Sequence, residues 1–254
     1  MRFEFKYLVP VEQYEALRAA MMPFLKRDRF AAQQPNGLYT VRSIYFDSTG
    51  FEMYHTKIEG IAHRMKVRMR GYNVGDDQSK VFLEIKRKYE GPILKNRSDA
   101  PYGVIKQLFN GAGFDSCAPL INNPDNARRF FYQIFRNNLK PVVNVIYERE
   151  PFLANTVNIY NDFRCTFDLN LRSVAYPKIE ELYVEKNLAF AFPGFFILEV
   201  KFNQFCPPWI APILESFQLR KEPASKYVAT INSNSLINSF RRGDAITKGP
   251  VPST

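Results

Sequence analysis

A strand pattern in which every second residue is charged and the residues between are apolar recurs along this chain. In MKVRMR, Lys66, Arg68 and Arg70 share one face and Val67 and Met69 the other, because successive side chains of a strand point to opposite sides. In VFLEIKRK, Phe82, Glu84, Lys86 and Lys88 oppose Val81, Leu83 and Ile85. Arg149 falls with Val145 and Tyr147 in VIYERE, and Arg164, Thr166 and Asp168 oppose Phe163, Cys165 and Phe167. Glu199 and Lys201 oppose Leu198, Val200 and Phe202, while Glu4 and Lys6 oppose Phe3, Phe5 and Tyr7. Strands of this kind need a sheet with one face on a core and a second face that is charged.

A single such strand is ordinary solvated surface. Repetition on so many strands, with Lys and Arg dominating and Ser, Thr and Gln scarce, points to a shared basic wall. Further strands are expected at 41–46, 93–97, 158–161 and 182–186, for roughly eight to ten in all. Helices are expected after Pro10, after Pro101 and after the Asn123-Pro124 pair. Two more are expected after Pro207-Pro208 and from a Ser225 cap to about Phe240. The expected fold class is α+β: an antiparallel β-barrel whose charged faces line a tunnel, with flanking helices over the apolar faces. One domain is expected over 1–240, with a polar, flexible tail over 241–254.

The charge on that wall needs a counter-charge. Two like charges about 8 Å apart repel by roughly 2 kcal/mol at an effective dielectric near 20. A tunnel holding many cations therefore calls for carboxylates, water and a bound polyanion, and a triphosphate or a longer phosphate chain suits Arg and Lys. Glu199, and also Glu4 or Glu84, could hold Mg²⁺ or Mn²⁺ through oxygen. Each of these carboxylates could equally be an ion-pair partner of a neighbouring cation. Tyr45 and Asp47 in SIYFDS are read as fixing a strand end.

Composition narrows the rest. The chain has 35 Lys and Arg against 25 Asp and Glu, a formal charge of +10, so its partner is expected to be anionic. Cys117, Cys165 and Cys206 are isolated, which argues against a thiolate metal site or disulfide framework, and His55 and His63 are the only histidines. No leader or membrane span is read in the sequence, and a cytoplasmic location is expected. Nucleic acid is not the expected partner: Arg70-Gly71-Tyr72 matches the opening of an RNA-recognition motif, but Asn73-Val74-Gly75-Asp76 does not continue it.

Taken together, the segments FEFKYLV (3–9), SIYFDS (43–48), MKVRMRGY (65–72), FLEIKRK (82–88), KNR (95–97), VIYERE (145–150), FRCTFD (163–168), ILEVKF (197–202) and SKY (225–227) resemble one family. It is the catalytic domain of the vacuolar transporter chaperone (VTC) complex, the polyphosphate polymerase branch of the triphosphate tunnel metalloenzymes. The resemblance implies a metal-dependent transferase that moves the γ-phosphoryl of ATP onto a growing polyphosphate or pyrophosphate primer, with Mn²⁺ or Mg²⁺ as cofactor. It implies catalytic phosphate contacts from Lys6, Arg68, Arg70, Lys86, Arg149, Arg164 and Lys201, and metal ligation by Glu199. Substrate contacts would come from Glu4, Lys66, Glu84, Lys88, Lys95, Arg97, Ser225 and Lys226. A triphosphatase of the same fold and a non-catalytic polyphosphate-binding subunit remain open alternatives, as does a separate membrane partner. The absence of a Walker A sequence agrees with a nucleotide held by side chains.

Overall fold

The computed structural model describes residues 3–89, 93–155 and 162–237. Along the chain run β1 (Phe3–Pro10), α1 (Tyr14–Met21), β2 (Leu25–Arg27), β3 (Tyr39–Asp47), α2 (Glu52–Ile58), β4 (Arg64–Tyr72), β5 (Lys80–Lys88) and β6 (Ile93–Pro101). There follow α3 (Tyr102–Phe109), α4 (Phe114–Cys117), α5 (Pro124–Arg136), β7 (Lys140–Ala154), β8 (Arg164–Ala175), β9 (Ala189–Phe190), β10 (Phe195–Phe202), α6 (Ile210–Ser216) and α7 (Lys226–Ser233).

All pairings are antiparallel, in the order β1-β10-β8-β7-β3-β4-β5-β6, with β2 on β7 and β9 on β8. The expected closed barrel is not formed. β1 and β6 end the sheet without pairing to each other. Alternation reads the same in an open and a closed sheet; closure depends on whether the first and last strands bond. Here other segments take those edges. Glu222 N–H donates to the Lys6 carbonyl at 2.9 Å, and Tyr7 bridges Lys221. On β6, Asp99 and Asn122 exchange backbone hydrogen bonds of 3.3 and 2.8 Å. Both edges are thus partly satisfied without closure.

The apolar face follows the alternation. Ile44, Phe46, Val67, Met69, Leu83 and Ile85 pack with Ile105, Leu108, Phe130 and Ile134 of α3 and α5. Val9, Cys165, Phe167, Leu198 and Val200 pack with Leu17, Met21, Ile210 and Leu214 of α1 and α6. The charged face is not charged throughout. On its central strands, Val41, Tyr45, Val143, Val145 and Tyr147 cluster with Tyr227 and Ile231 of α7. The last helix therefore lies over the middle of the basic face and leaves the charges on either side.

Several local expectations are met by a different device. Asn123 does precede α5, but its side chain makes no cap bond; it supplies a left-handed φ of 59° instead. Ser225 caps α7 as expected, accepting from Val228 N–H. No strand forms at 182–186. After a 3₁₀ turn at Ile179–Glu181 the chain brings Tyr183 against Gly71, where a Cβ would lie 2.5 Å from the Tyr183 hydroxyl. Glu52–Ile58 forms α2, which alternation does not reveal. The last helix is shorter than expected: α7 stops at Ser233, and Ser235 takes a left-handed φ of 54°. The strand expected at 158–161, residues 238–240 and the tail at 241–254 lie outside the described residues.

Candidate functional site

Two clusters of charge flank α7. The first sits on β1, β10, β8 and β7. The antiparallel register sets Glu4 opposite Lys201 and Lys6 opposite Glu199, so acid and base alternate across the pair of strands. Lys6 Nζ lies 3.0 Å from Glu4 and 3.9 Å from Glu199, and Lys201 bonds Glu199 while standing 3.6 Å from Glu4. Lys226, at the start of α7, reaches down to Asp168 at 2.5 Å and Glu199 at 3.6 Å. Arg149 grips Asp168 with both arms, at 2.6 and 2.8 Å. Burial would raise the Glu199 carboxyl, but Lys201, Lys226 and Lys6 hold it well below the usual carboxylate range. Asp168 is likewise held down against its burial, by Arg149 and Lys226.

The second cluster sits on β3 to β6 around Glu84, which is 1% exposed. Arg68 reaches its carboxylate through Nε at 2.7 Å, and Lys95 at 2.8 Å, with Arg97 at 3.5 Å. Burial opposes ionisation of Glu84, yet Arg68, Arg70 and Lys95 hold it far below the carboxylate range. Arg68 also donates to the Tyr45 hydroxyl at 2.9 Å, and Arg70 to Ser43 at 3.0 Å. Lys66 donates to Ser225 at 3.3 Å, linking the β4 cations to the cap of α7.

Cations outnumber carboxylates on this face, and the surplus shifts the ionisation of its members. Among the described residues no carboxylate lies within ion-pair distance of Lys66, Arg70 or Lys86. The Arg68 charge and burial, with Arg70, push Lys86 down to about 6, and Lys201 from the other cluster adds to this. Burial pushes Lys66 down to about 8, with contributions from Lys6 and Arg68. Burial would raise the Tyr45 phenol, but Arg68, Lys66 and Arg70 bring it to about 7. The two clusters therefore act on each other electrically although the sheet stays open. Such a surface attracts a multivalent anion.

The structure gathers most of the expected residues: Lys6, Glu4, Glu199, Lys201, Arg149 and Lys226 in one cluster, and Lys66, Arg68, Arg70, Glu84, Lys86, Lys95 and Arg97 in the other, with Ser225 between them. Two stand apart. Arg164 is 54% exposed and pairs with Asp162 at 3.3 Å, and Lys88 is exposed at the end of β5. Asp168, Tyr147 and Ser43 belong to the site although the strand pattern had singled out none of them as site residues. Arg149 and Lys226 lie over the Tyr147 ring at 5.2 and 4.9 Å. Asp168 could have been found from its place on the cation-bearing face of β8. Asp47 does fix a strand end, accepting from the backbone of Ser48, Met53 and Tyr54, and Tyr227 of α7 donates to it as well. Tyr45, by contrast, belongs to the cation network.

Among the described residues no three Asp, Glu, His or Cys side chains gather as a metal-binding group. The donors that would suit a hard divalent cation are the carboxylates of Glu4 and Glu199 on the adjacent strands β1 and β10.

Buried arginines and lysines beside a few carboxylates are side chains suited to holding phosphoryl oxygens. The chain belongs to the VTC domain family, whose model matches residues 1–234. That membership supports an enzyme that handles nucleotides or polyphosphate in general. No curated protein matches the chain. A solved structure, HpAC1 from Hippeastrum, described as a candidate adenylyl cyclase with a dominant triphosphatase activity, is similar at 14% identity over 96% of each chain, with a TM-score of 0.49. Among the described residues no helix is long and apolar enough to cross a membrane.

Proposed function

We propose that this domain is a metal-dependent triphosphatase that cleaves the terminal phosphoanhydride bond of a triphosphate on its basic face. The observation that carries this reading is the uncompensated cation group of Lys66, Arg70 and Lys86, with Lys86 pushed down to about 6 by its neighbours. A polyanion placed there removes the repulsion and restores the Lys86 charge, so binding and ionisation reinforce each other.

Water attacks the γ-phosphorus, the bond from γ-phosphorus to the β,γ-bridging oxygen breaks, and the products are orthophosphate and the diphosphate, with the water proton passing to solvent. Arg68, Arg70 and Lys86 would hold the phosphoryl and bridging oxygens, where negative charge develops. Arg149 and Lys226, oriented by Asp168, would hold the other end of the chain. A divalent cation held by Glu199 with Glu4 would, when bound, supply further neutralisation of phosphate charge. Lys6 and Lys201 orient those two carboxylates.

Water is taken as the acceptor because transfer to a phosphate chain needs a second phosphate site from which water is kept out. The second reading, ATP-driven extension of polyphosphate, is favoured by one observation: the cations extend from Lys6 to Arg97, more than one triphosphate neutralises. The test is phosphorus NMR of the purified protein with ATP or tripolyphosphate and Mn²⁺ or Mg²⁺. Orthophosphate with ADP and no internal-phosphate signal is expected. Growth of an internal-phosphate signal would replace this reading with the polymerase, and no turnover, even with pyrophosphate as primer, with a binding subunit.

A further inference from the structure

Helix α5 turns one side to the core and carries on its other side a set of residues that the sheet does not use. Inward, Phe130, Phe131 and Ile134 pack in the cluster that holds Val67, Met69, Leu83 and Ile85. Outward, Arg128, Arg129, Tyr132, Phe135 and Arg136 fall within about a third of the helix circumference, at about 100° per residue. All five are exposed, Tyr132 by 52% and Phe135 by 74%, and exposed Lys140 follows the helix. The rings are held in place. Phe135 stacks on Phe131 with centroids 6.3 Å apart, and Arg136 donates to the Tyr132 hydroxyl at 2.8 Å. Arg128 pairs with Asp115 of α4 at 2.7 Å. Asp125, in the first turn, is the one carboxylate of α5. Among the described residues no carboxylate lies within ion-pair distance of Arg129, Arg136 or Lys140, so this face carries a surplus of cations.

We propose that the outer face of α5 is a docking surface for an anionic lipid membrane, with Phe135 and Tyr132 entering the headgroup layer and the arginines meeting lipid phosphates. A single exposed ring is ordinary surface. Two rings fixed on one helix face and framed by cations have the composition of an interfacial helix, where buried apolar area and charge attraction add. The charge also selects among partners for an apolar patch. Surplus arginines repel a second copy of the same face and favour a surface that offers many anions at once. α5 covers the side of the sheet opposite Lys66, Arg68, Arg70 and Lys86, because Val67 and Met69 alternate with those cations. A docked domain therefore keeps its basic sheet face turned away from the lipid. The docking goes beyond the reaction proposed above and does not depend on it.

The experiment is co-sedimentation with vesicles of phosphatidylcholine alone and of phosphatidylcholine mixed with phosphatidylserine. The unaltered protein should bind the mixed vesicles and not the neutral ones, and should lose binding as salt is raised. Arg129→Gln combined with Arg136→Gln should weaken binding about twenty-five-fold, about fivefold for each basic side chain. Phe135→Ser should weaken it about tenfold through lost apolar area. Near-UV circular dichroism checks that the α5 variants keep the fold. Lys86→Gln, on the other side of the sheet, should bind vesicles as the unaltered protein does. Absence of binding to the mixed vesicles, equal binding to both kinds, or full binding by the α5 variants would overturn the proposal. Loss of binding in Lys86→Gln alone would overturn it too, by assigning the lipid contact to the basic sheet face.

Discussion

Replacing Glu84 by Gln tests the electrostatic account of the basic face, because it should move stability and anion affinity in opposite directions. Glu84 is almost wholly buried and holds Arg68, itself buried, through two contacts of 2.7 and 2.6 Å. Removing one partner of a buried pair costs about 3–5 kcal/mol, since the remaining charge is left unpaired. Lys95 and Arg97 are about 40% exposed, so their loss of Glu84 adds at most about 1 kcal/mol. For a chain of this size each kcal/mol shifts Tm by roughly 2–4 °C, so a drop of about 6–24 °C is expected. The same change leaves one more positive charge facing the substrate. At about 8 Å and an effective dielectric near 20 that is roughly 2 kcal/mol, or about thirtyfold tighter binding of tripolyphosphate. The assay is thermal unfolding with and without tripolyphosphate, together with calorimetric titration. Tripolyphosphate should recover more of the lost Tm in the variant than it adds to the unaltered protein. A Tm within 2 °C of the unaltered protein, or weaker binding of the anion, would refute the reasoning.

Other outcomes follow from the same geometry. Lys86 titrates near 6, below its unfolded value near 10.4, so between those values the unfolded chain carries more protons and stability falls as pH falls through this window. Anion binding at pH 7.5 should then take up a proton, read by calorimetry in two buffers of different ionisation enthalpy; no uptake would remove Lys86 from the site. Glu199→Gln should lower turnover roughly a hundredfold or more in a phosphate-release assay, and activity within threefold of the unaltered protein would rule Glu199 out as a metal ligand. Arg149→Ala should weaken a non-hydrolysable ATP analogue by about 1.5–3 kcal/mol, the strength of a charge-assisted contact. An unchanged Kd would contradict that contact. Arg18→Ala is the control on the opposite face: Arg18 grips buried Glu150 at 2.8–3.0 Å, so about 3–5 kcal/mol of stability should be lost with no change in tripolyphosphate affinity.

How much of this was legible in the chain depends on the distance over which each feature is set. The division of faces on β1, β4, β5, β8 and β10 is local, because a two-residue period fixes which side chains point together. That alone placed Lys66, Arg68 and Arg70 on one side and Val67 and Met69 on the other. The caps at Asn123 and Ser225 are also local, although Asn123 acts through its backbone. What joins Glu84 to Lys95, or Asp168 to Lys226, is strand register and the docking of α7, and no spacing in the chain states either. Helix α2 is hidden for a related reason: its first turn is held by the carboxylate of Asp47, a tertiary partner as much as a sequence signal.

Alternation along each strand fixes an amphipathic sheet with one basic face, and which side chains stand on it. Long-range contacts keep the sheet open, with Lys221–Glu222 and Asn122 occupying the edges that a barrel would have joined. The same contacts settle which cations keep a carboxylate and which do not. Alternation is a property of each strand, whereas closure and charge pairing depend on which strands and helices meet, and that is settled by competition among backbone donors and acceptors far apart in the chain.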